Sequence, residues 1–403
     1  MTDRFIKPMI AKSLAKRPAI LLLGPRQVGK TWLSRALEQH YVTFDDITTL
    51  LQAQDDPVRF VEELPHPTCI DEVQRVPEIF LPIKQVIDKS EQAPNQFLLT
   101  GSTNVFQLPK MADSLAGRLR IVRLFPFAQL ELEPRPYLSL PDLLWNKQLP
   151  ELPSPSIDFP RLLVRGGYPI AVRLGEDDVE RGQWFSDLID TIASKDIRDI
   201  TQVVDGFRSI KLLSLMAARM GSLLNLSEVA RSLREPLSTV QRDLAVLKAL
   251  FLVEEVRAWS GNFSKRLIKS PKIYLNDTGL ACHLIGANAS RLQQDRHLFG
   301  HVLENYVYNE LSKQLSWSDV KANIYHFRTS ENEEVDFLLE RPTGECLAFE
   351  VKAAGTITPQ DLKGLRSLEA ELGEAFIQGV VFYLGKEIKH LGGRLVAIPL
   401  SML

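Results

Sequence analysis

The eight residues from Gly24 to Thr31 combine two glycines, a lysine and a threonine at a fixed spacing. They read GPRQVGKT and follow the apolar run AILLL. Such glycines permit a tight turn whose backbone N–H groups, with a helix N-terminus behind them, can surround phosphates. The spacing therefore predicts a nucleotide site with ATP and Mg2+ as ligands. Its expected binding residues are Gly24, Pro25, Arg26, Gln27, Val28, Gly29, Lys30 and Thr31.

Lys30 is expected to contact the β- and γ-phosphates, and the Thr31 hydroxyl to ligate magnesium. Two carboxylates, Asp71 and Glu72, follow directly on the short apolar run at residues 69–70. Asp71 suits the magnesium shell, and Glu72 is placed to polarise an attacking water. The alternative for this pair is a cap on a surface helix.

The run QFLLTGS also ends in polar residues. Thr100, Ser102 and Asn104 are candidates to sense the γ-phosphate or the catalytic water, and the choice among them stays open, with Ser102 carried forward as the binding candidate.

Arg118 and Arg120 flank the start of the next strand pattern. An arginine there could reach the γ-phosphate of a neighbouring subunit and stabilise the charge that develops during transfer. We take Arg118 as the catalytic candidate, which makes a homo-oligomer the expected assembly. The alternative is a surface arginine paired with Asp113 or Glu131.

Short apolar runs alternate with helical patterns from about Pro18 to Glu133, which predicts a parallel sheet with crossover helices. A stretch rich in proline and leucine follows, then mostly helical patterns, and from Gly300 onward a second α/β pattern. The predicted domains are residues 1–135, the ATPase core; 136–205, a connector and helical lid; 206–285, a middle domain; and 286–403, a C-terminal α/β domain.

GPRQVGKT, CIDEVQRVPEIF, FLLTGS and SLAGR occur in the order found in a family of bacterial and archaeal AAA+-type ATPases, which this chain resembles. RGGYP at Arg165–Pro169, SPKIYLNDTGL at Ser270–Leu280 and GHVLENYVYNEL at Gly300–Leu311 extend the resemblance over nearly the whole chain. The resemblance implies an AAA+-like P-loop core, a helical middle region and a C-terminal domain like restriction endonucleases.

The middle region resembles a winged helix-turn-helix. A helix opening at Ser227–Glu228 precedes a turn near Pro236 and a second helix that carries Ser238, Thr239, Gln241, Arg242 and Lys248. Such polar groups can meet phosphates and base edges, so DNA is the expected partner. Cations at residues 262–266 and at Lys269 could form a basic wing. The alternative is a helical bundle used for subunit packing.

The C-terminal region holds a glutamate in a helical pattern, Glu304, and two carboxylates in strand patterns, Asp336 and Glu350. Glu350 and Lys352 flank Val351, which places both side chains on one side of that strand. Asp336 and Glu350 would bind magnesium with Glu304, while Lys352 orients water for phosphodiester hydrolysis. The set resembles the Asp and Glu-x-Lys signature of restriction-endonuclease-like domains. The alternatives are a buried ion cluster or a domain that binds DNA without cutting it.

Composition limits the partners and the location. Lys and Arg number 48 against 50 Asp and Glu, so any basic surface must be local. The three cysteines lack the spacing of zinc sites or of a disulfide framework, which suits a reducing compartment. No apolar run approaches the roughly 20 residues that span a bilayer, so we expect a cytoplasmic protein with no membrane partner.

Two functions compete. One is an ATPase that couples hydrolysis to DNA binding or processing, with a possible magnesium-dependent nuclease in its C-terminal domain. The other is a nucleotide-dependent switch or scaffold that acts on protein partners and has an inactive tail. A small-molecule kinase is disfavoured, because Glu72 and the polar strand end suit water rather than a substrate hydroxyl.

Overall fold

The computed structural model describes residues 2–403 except 38, 104–116, 134, 138, 152–153, 201–204, 263–265, 267–268, 330 and 332. The sensor candidate Asn104, the proposed ion-pair partner Asp113 and residues 263–265 of the predicted wing lie outside the described residues. The chain forms two compact units, Met1–Phe127 with Ala245–Leu252 and Ala128–Leu244 with Val253–Leu403. The predicted boundaries at 135, 205 and 285 stay predictions.

The first unit contains a five-stranded parallel sheet in the order β2-β3-β4-β1-β5. Its strands are β1 Ala19–Leu23, β2 His40–Thr43, β3 Thr68–Asp71, β4 Phe97–Gly101 and β5 Leu119–Arg123. Its helices are α1 Lys7–Leu14, α2 Lys30–Arg35, α3 Ile47–Asp55, α4 Pro57–Glu62 and α5 Phe80–Lys89.

Strands β1 and β4 are buried along their whole length. Central strands of a parallel sheet are covered on both faces, which is why AILLL and FLLTG are continuous apolar runs instead of alternating ones. Leu21, Leu23, Ile70 and Leu99 join one apolar core with Phe80 and Ile83 of α5. Because β4 lies between β1 and β3, the polar end of β4 is brought between the ends of those two strands.

The second unit begins as a helical region. Its helices include α6 Gln129–Leu132, α7 Leu140–Trp145, α8 Phe159–Arg165, α9 Pro169–Leu174, α10 Asp178–Thr191, α11 Ile197–Ile200, α12 Gly206–Ala218 and α13 Leu226–Leu233. Helix α14 spans Leu237–Ala249, and its last turn belongs to the first unit. Strands β6 Val253–Val256 and β7 Lys272–Leu275 then form a two-stranded antiparallel sheet. Leu223 forms an isolated antiparallel bridge with Lys272.

The C-terminal part of this unit contains a six-stranded mixed sheet in the order β12-β13-β11-β10-β9-β8. Its strands are β8 Asn323–Arg328, β9 Glu334–Glu340, β10 Cys346–Lys352, β11 Phe376–Tyr383, β12 Lys389–His390 and β13 Leu395–Pro399, and the helices are α15 Thr278–Leu284, α16 Ala289–Gln294, α17 Arg296–Trp317 and α18 Lys363–Leu372. Leu365 and Leu368 of α18 pack with Val335 and Val381 of the sheet. Among the helices described, none has the length and apolarity needed to cross a membrane.

Helix α17 carries buried polar side chains that bind backbone groups of other segments. Asn305 is fully buried; its Oδ1 accepts from the N–H of Leu275 at 2.8 Å and its Nδ2 donates to the carbonyl of Leu275 at 2.9 Å. Glu310 accepts from the N–H of Gln129 at 2.8 Å. A buried backbone group without a partner destabilises a fold, so these side chains fix where the neighbouring segments lie.

Replacing Asn305 with Leu should destabilise the protein, because the N–H and the carbonyl of Leu275 both lose their side-chain partner inside the core. The expected loss is about 3 kcal/mol of unfolding free energy, measured by urea denaturation. Ser316→Ala is the matched control on the same helix, since the Ser316 hydroxyl donates to the carbonyl of Lys313 within that helix. A loss no larger for Asn305→Leu than for Ser316→Ala would show that the side chain of Asn305 is dispensable.

Candidate nucleotide site and C-terminal carboxylate cluster

The phosphate-binding loop joins the end of β1 to the start of α2, as the strand-loop-helix order of the sequence requires. A Cβ added at Gly24 would lie 2.2 Å from the carbonyl oxygen of Leu124, so only glycine fits beside that backbone. Gly29 has φ +94°, a left-handed conformation, and a Cβ there would meet nothing within 4 Å. The loop therefore has open space on its Gly29 side, where a phosphate chain can be accommodated.

Lys30 and Arg4 both bind carbonyls of this loop. The ammonium of Lys30, which is 5% exposed, donates to the carbonyls of Gly24 at 3.0 Å and Pro25 at 2.9 Å. Arg4 donates to the carbonyl of Val28 at 3.1 Å and is itself buried. Arg4 was not predicted from the sequence, because nothing in the N-terminal helical pattern shows that a residue more than twenty positions away supports the loop.

Asp71 ends β3, is 2% exposed and accepts hydrogen bonds from three hydroxyl groups. Thr31 donates from 2.8 Å and Tyr41 from 2.6 Å, both to Oδ2, while Thr100 donates to Oδ1. The structure thus brings together Thr31 and Asp71, the two predicted magnesium ligands of this unit. Oxygen ligands of this kind fit Mg2+.

Glu72 adopts a left-handed backbone conformation with φ 61° and ψ 43°. This turns the chain sharply after β3, and the Glu72 N–H donates to the Thr100 hydroxyl at 3.3 Å. Its carboxylate oxygen Oε2 accepts from Ser102 at 3.2 Å and from the amide of Gln74. The hydroxyl of Ser102 also accepts from Gln74 at 2.9 Å. Ser102 and Gln74 together hold the Glu72 carboxylate at the end of the sheet.

Tyr41 and Gln74 were missed by the sequence interpretation. Burial and the hydrogen bond to Asp71 raise the pKa of Tyr41 to about 12, so the phenol stays protonated and remains a donor. Tyr41 lies in β2, next to β3, and its register becomes known only when these two strands are paired. Gln74 lies two residues after Glu72, a position that carries no recognised pattern.

Arg118 precedes β5 and lies at the end of the parallel strands opposite to the phosphate-binding loop. Leu119, the first residue of β5, pairs with Ala19, the first residue of β1, whereas the loop follows the other end of β1. These ends are separated by roughly 13 Å of strand. The guanidinium binds Asp88 with both Nε at 2.6 Å and Nη2 at 3.0 Å, a partner that was not predicted, while the predicted partner Asp113 lies outside the described residues. Arg118 and the loop thus lie at opposite ends of the parallel strands.

The predicted recognition helix, α14, has one buried and one exposed face. Val240 and Leu244 are buried, while Ser238, Gln241 and Arg242 are exposed. Thr239 and Lys248 are half-buried.

The four predicted C-terminal residues come together in the second unit. Strands β9 and β10 are antiparallel neighbours, and Phe337 pairs with Phe349, which places residues 336 and 350 side by side. Asp336 accepts from the N–H of Val351 at 2.9 Å, and Glu350 binds the ammonium of Lys352 at 2.7 Å. Burial raises the pKa of Glu350 well above its ordinary value, and the charge of Asp336 adds to the rise.

Two further residues of this cluster, Lys272 and Tyr274 of β7, were not predicted. Glu304 accepts from the Lys272 ammonium at 2.9 Å and from the Tyr274 hydroxyl at 2.6 Å, and Lys272 also lies 3.3 Å from Asp336. Burial, reinforced by Asp336, raises the pKa of Glu304 to about 7. In KIYL the lysine and the tyrosine alternate with apolar residues, a signal that both point to one side of the strand, but nothing local shows which carboxylates they meet.

Three protein-family models match the chain. Residues 16–133 match the family described as AAA domain, residues 156–291 match a domain of unknown function (DUF8612), and residues 299–403 match a domain of unknown function (DUF4143). The second and third matches assign no activity. The restriction-endonuclease-like and winged-helix interpretations therefore stay predictions.

Similar proteins include an uncharacterized protein of Mycobacterium bovis, Mb2031c, and one of Mycobacterium tuberculosis, Rv2008c. Each is 29% identical over 400 residues, which is 97% of this chain and 82% of the relative. A solved structure, the Walker-type ATPase PABY2304 of Pyrococcus abyssi, is 16% identical, covers 70% of this chain and 96% of its own, and has a TM-score of 0.41. The AAA domain match over residues 16–133, together with the parallel sheet and the loop at residues 24–31, supports an AAA-type P-loop domain in the first third of the chain and a nucleotide-dependent activity.

Proposed function

We propose that this protein binds ATP with magnesium, hydrolyses it and couples hydrolysis to binding or processing of DNA. The observation that carries the ATPase part is the arrangement at the end of β3. Thr31 and Asp71 lie 2.8 Å apart, and the next residue, Glu72, has its carboxylate held by Ser102 and Gln74. A metal-binding pair beside an oriented carboxylate is what hydrolysis requires, as opposed to nucleotide binding alone.

The residues present fit a magnesium-bound nucleotide. Magnesium would supply positive charge at the phosphates, and Thr31 with Asp71 would hold it. Lys30 contacts the phosphate oxygens once its ammonium leaves the carbonyls of Gly24 and Pro25. Glu72 accepts a proton from the attacking water at its carboxylate, while Ser102 and Gln74 keep that carboxylate oriented.

Glu72→Gln should retain ATP binding and lower the turnover number at least 100-fold, because the amide keeps the shape but cannot accept the proton. Lys30→Ala should instead lose ATP affinity, since it removes the ammonium that meets the phosphates. Equilibrium binding of a fluorescent ATP analogue and steady-state phosphate release separate the two effects. Near wild-type turnover in Glu72→Gln would move the catalytic role to another residue.

The DNA part of the proposal is supported by the middle of the chain. Helices α12, α13 and α14 are followed by the antiparallel strands β6 and β7, which is the element order of a winged helix-turn-helix. The exposed face of α14 carries Ser238, Gln241 and Arg242, which can reach phosphates and base edges.

Duplex, single-stranded or branched DNA should stimulate ATP hydrolysis by the wild type. Arg242→Ala should weaken this stimulation by lowering DNA affinity, and it should reduce the salt dependence of binding by about one phosphate contact. Arg366→Ala is the matched control, because it removes the same charge from an exposed position on another helix, α18. If no form of DNA changes the ATPase rate at low salt, the coupling to DNA is wrong while the ATPase stands.

We also propose that Arg118 acts across a subunit interface in a homo-oligomer. The specific activity should then rise with protein concentration. Mixing Arg118→Ala with Lys30→Ala should restore part of the hydrolysis, because some interfaces would pair an intact loop with an intact arginine. The phosphate release of mixtures at several ratios, compared with each variant alone, measures this. Strict additivity at every ratio would place the function of Arg118 within its own copy, in the ion pair with Asp88.

The role of the C-terminal quartet is proposed more narrowly. Magnesium-dependent cleavage of DNA at Glu304, Asp336, Glu350 and Lys352 stays a prediction. A specific observation favours the second candidate function, a nucleotide-dependent switch acting on protein partners with an inactive tail. That observation is Lys272, whose ammonium lies among the carboxylates that would have to bind the metal.

A further inference from the structure

Lys272 is a buried lysine surrounded by carboxylates. It lies at the start of β7, is 3% exposed and has its ammonium 2.9 Å from Glu304, 2.5 Å from Glu334 and 3.3 Å from Asp336. Burial on its own would lower the pKa of Lys272, but the three carboxylates outweigh it and raise that pKa above its ordinary value. The ammonium thus lies within ion-pair distance of three carboxylates.

The residues present do not fit the magnesium ion that the resemblance to restriction endonucleases implies. Magnesium takes six oxygen ligands at about 2.0–2.1 Å in octahedral geometry. One oxygen of Glu304 and one of Asp336 bind Lys272, the other oxygen of Asp336 binds the Val351 N–H, and one oxygen of Glu350 binds Lys352. Within the described residues, no group of three His, Cys, Asp or Glu is arranged to hold a metal ion.

The remaining carboxylate oxygens show what the lysine prevents. Glu350 is only 8% exposed, and within the described residues its oxygen Oε2 is buried and accepts no hydrogen bond. A Cβ added at Gly221 would lie 3.0 Å from Oε2 of Glu304, so the glycine leaves room at that second oxygen. Without the ammonium, one oxygen of Glu304 and one of Asp336 would lose their cation, and Oε2 of Glu350 has no hydrogen bond to lose.

We infer that Lys272 is the resident cation of the C-terminal cluster and excludes divalent metal from it, so that the carboxylates bind Mg2+ or Mn2+ only when its side chain is withdrawn. The inference rests on the proposed function only in treating this cluster as a site, and it is independent of ATP hydrolysis. Ammonium and metal compete because both need the same oxygens of Glu304 and Asp336, and two cations cannot share them without strong repulsion.

Lys272→Met tests this inference, because it keeps the apolar stem and removes the charge. The full chain is titrated with MnCl2 by calorimetry in the absence of nucleotide, and its melting temperature is measured with Mn2+ and with EDTA. Lys272→Met should bind Mn2+ at least tenfold more tightly than the wild type. It should melt at a lower temperature than the wild type in EDTA, since the carboxylates lose their counter-ion, and Mn2+ should restore part of that loss.

Two control variants test whether the change in Mn2+ affinity arises at Lys272 and its carboxylate partners. Lys272→Arg keeps the positive charge and should bind Mn2+ no better than the wild type. Lys272→Met combined with Asp336→Asn should lose the gained affinity, which separates this site from Thr31 and Asp71. If Lys272→Met does not fold without metal, Lys272→Gln is titrated in its place, because its amide can still donate to Glu304.

A Mn2+ affinity of Lys272→Met equal to that of the wild type would overturn the inference. If Lys272→Gln is titrated instead, an affinity no higher than that of the wild type would overturn it as well. These outcomes are distinguishable from failure of the proposed function, because the titration needs neither ATP nor DNA. ATP hydrolysis by Lys272→Met, measured in parallel, reports on the ATPase proposal alone.

Discussion

The second unit depends on the buried polar side chains of α17. Asn305, Glu310 and Gln314 lie on one long helix, yet each satisfies backbone groups of a different segment. Gln314 accepts from the N–H of Leu140 at 2.8 Å and donates to the carbonyl of Leu403 at 2.8 Å. The first helices of the unit, the strand β7 and the C-terminal residue are thereby anchored to the same helix. An apolar helix of equal shape would leave those backbone groups without partners, and each such group would lower the free energy of unfolding by about 1–3 kcal/mol.

This arrangement also explains why Glu304 can be kept inside. The contact between Asn305 and Leu275 fixes β7 against α17, and Lys272 and Tyr274 lie on that same short strand. The hydrogen bonds of Asn305, the residue after Glu304, therefore position the side chains of Lys272 and Tyr274 that bind Glu304. A buried carboxylate needs such fixed partners, because an ion pair that shifts by a few ångströms leaves an uncompensated charge in the interior.

Contiguous patterns made the nucleotide site predictable. The eight consecutive residues GPRQVGKT contain the glycines of the turn, the cation and the hydroxyl, and Asp71 and Glu72 end an apolar run. Parallel strands deliver their ends to one edge of a sheet, so these residues could be expected to meet. Tyr41, Gln74 and Lys272 act through strand pairing or through packing between distant segments, and a single sequence does not encode such pairings in any local pattern. Arg118 shows the same limit, since its partner Asp88 lies thirty residues away.

The two carboxylate sites of this chain use similar residue types and differ in what neutralises them. Asp71 accepts hydrogen bonds from the hydroxyls of Thr31, Tyr41 and Thr100, all of them uncharged. None of these three donors is a cation, so a magnesium ion can take hydroxyl and carboxylate oxygens together without displacing an ammonium. In the C-terminal cluster the charge of Glu304 and Asp336 is already opposed by Lys272. A metal entering there would have to expel an ammonium as well as shed its own water, and magnesium dehydrates reluctantly. Carboxylate spacing in a sequence thus predicts a metal site only when no lysine from another segment reaches the same oxygens.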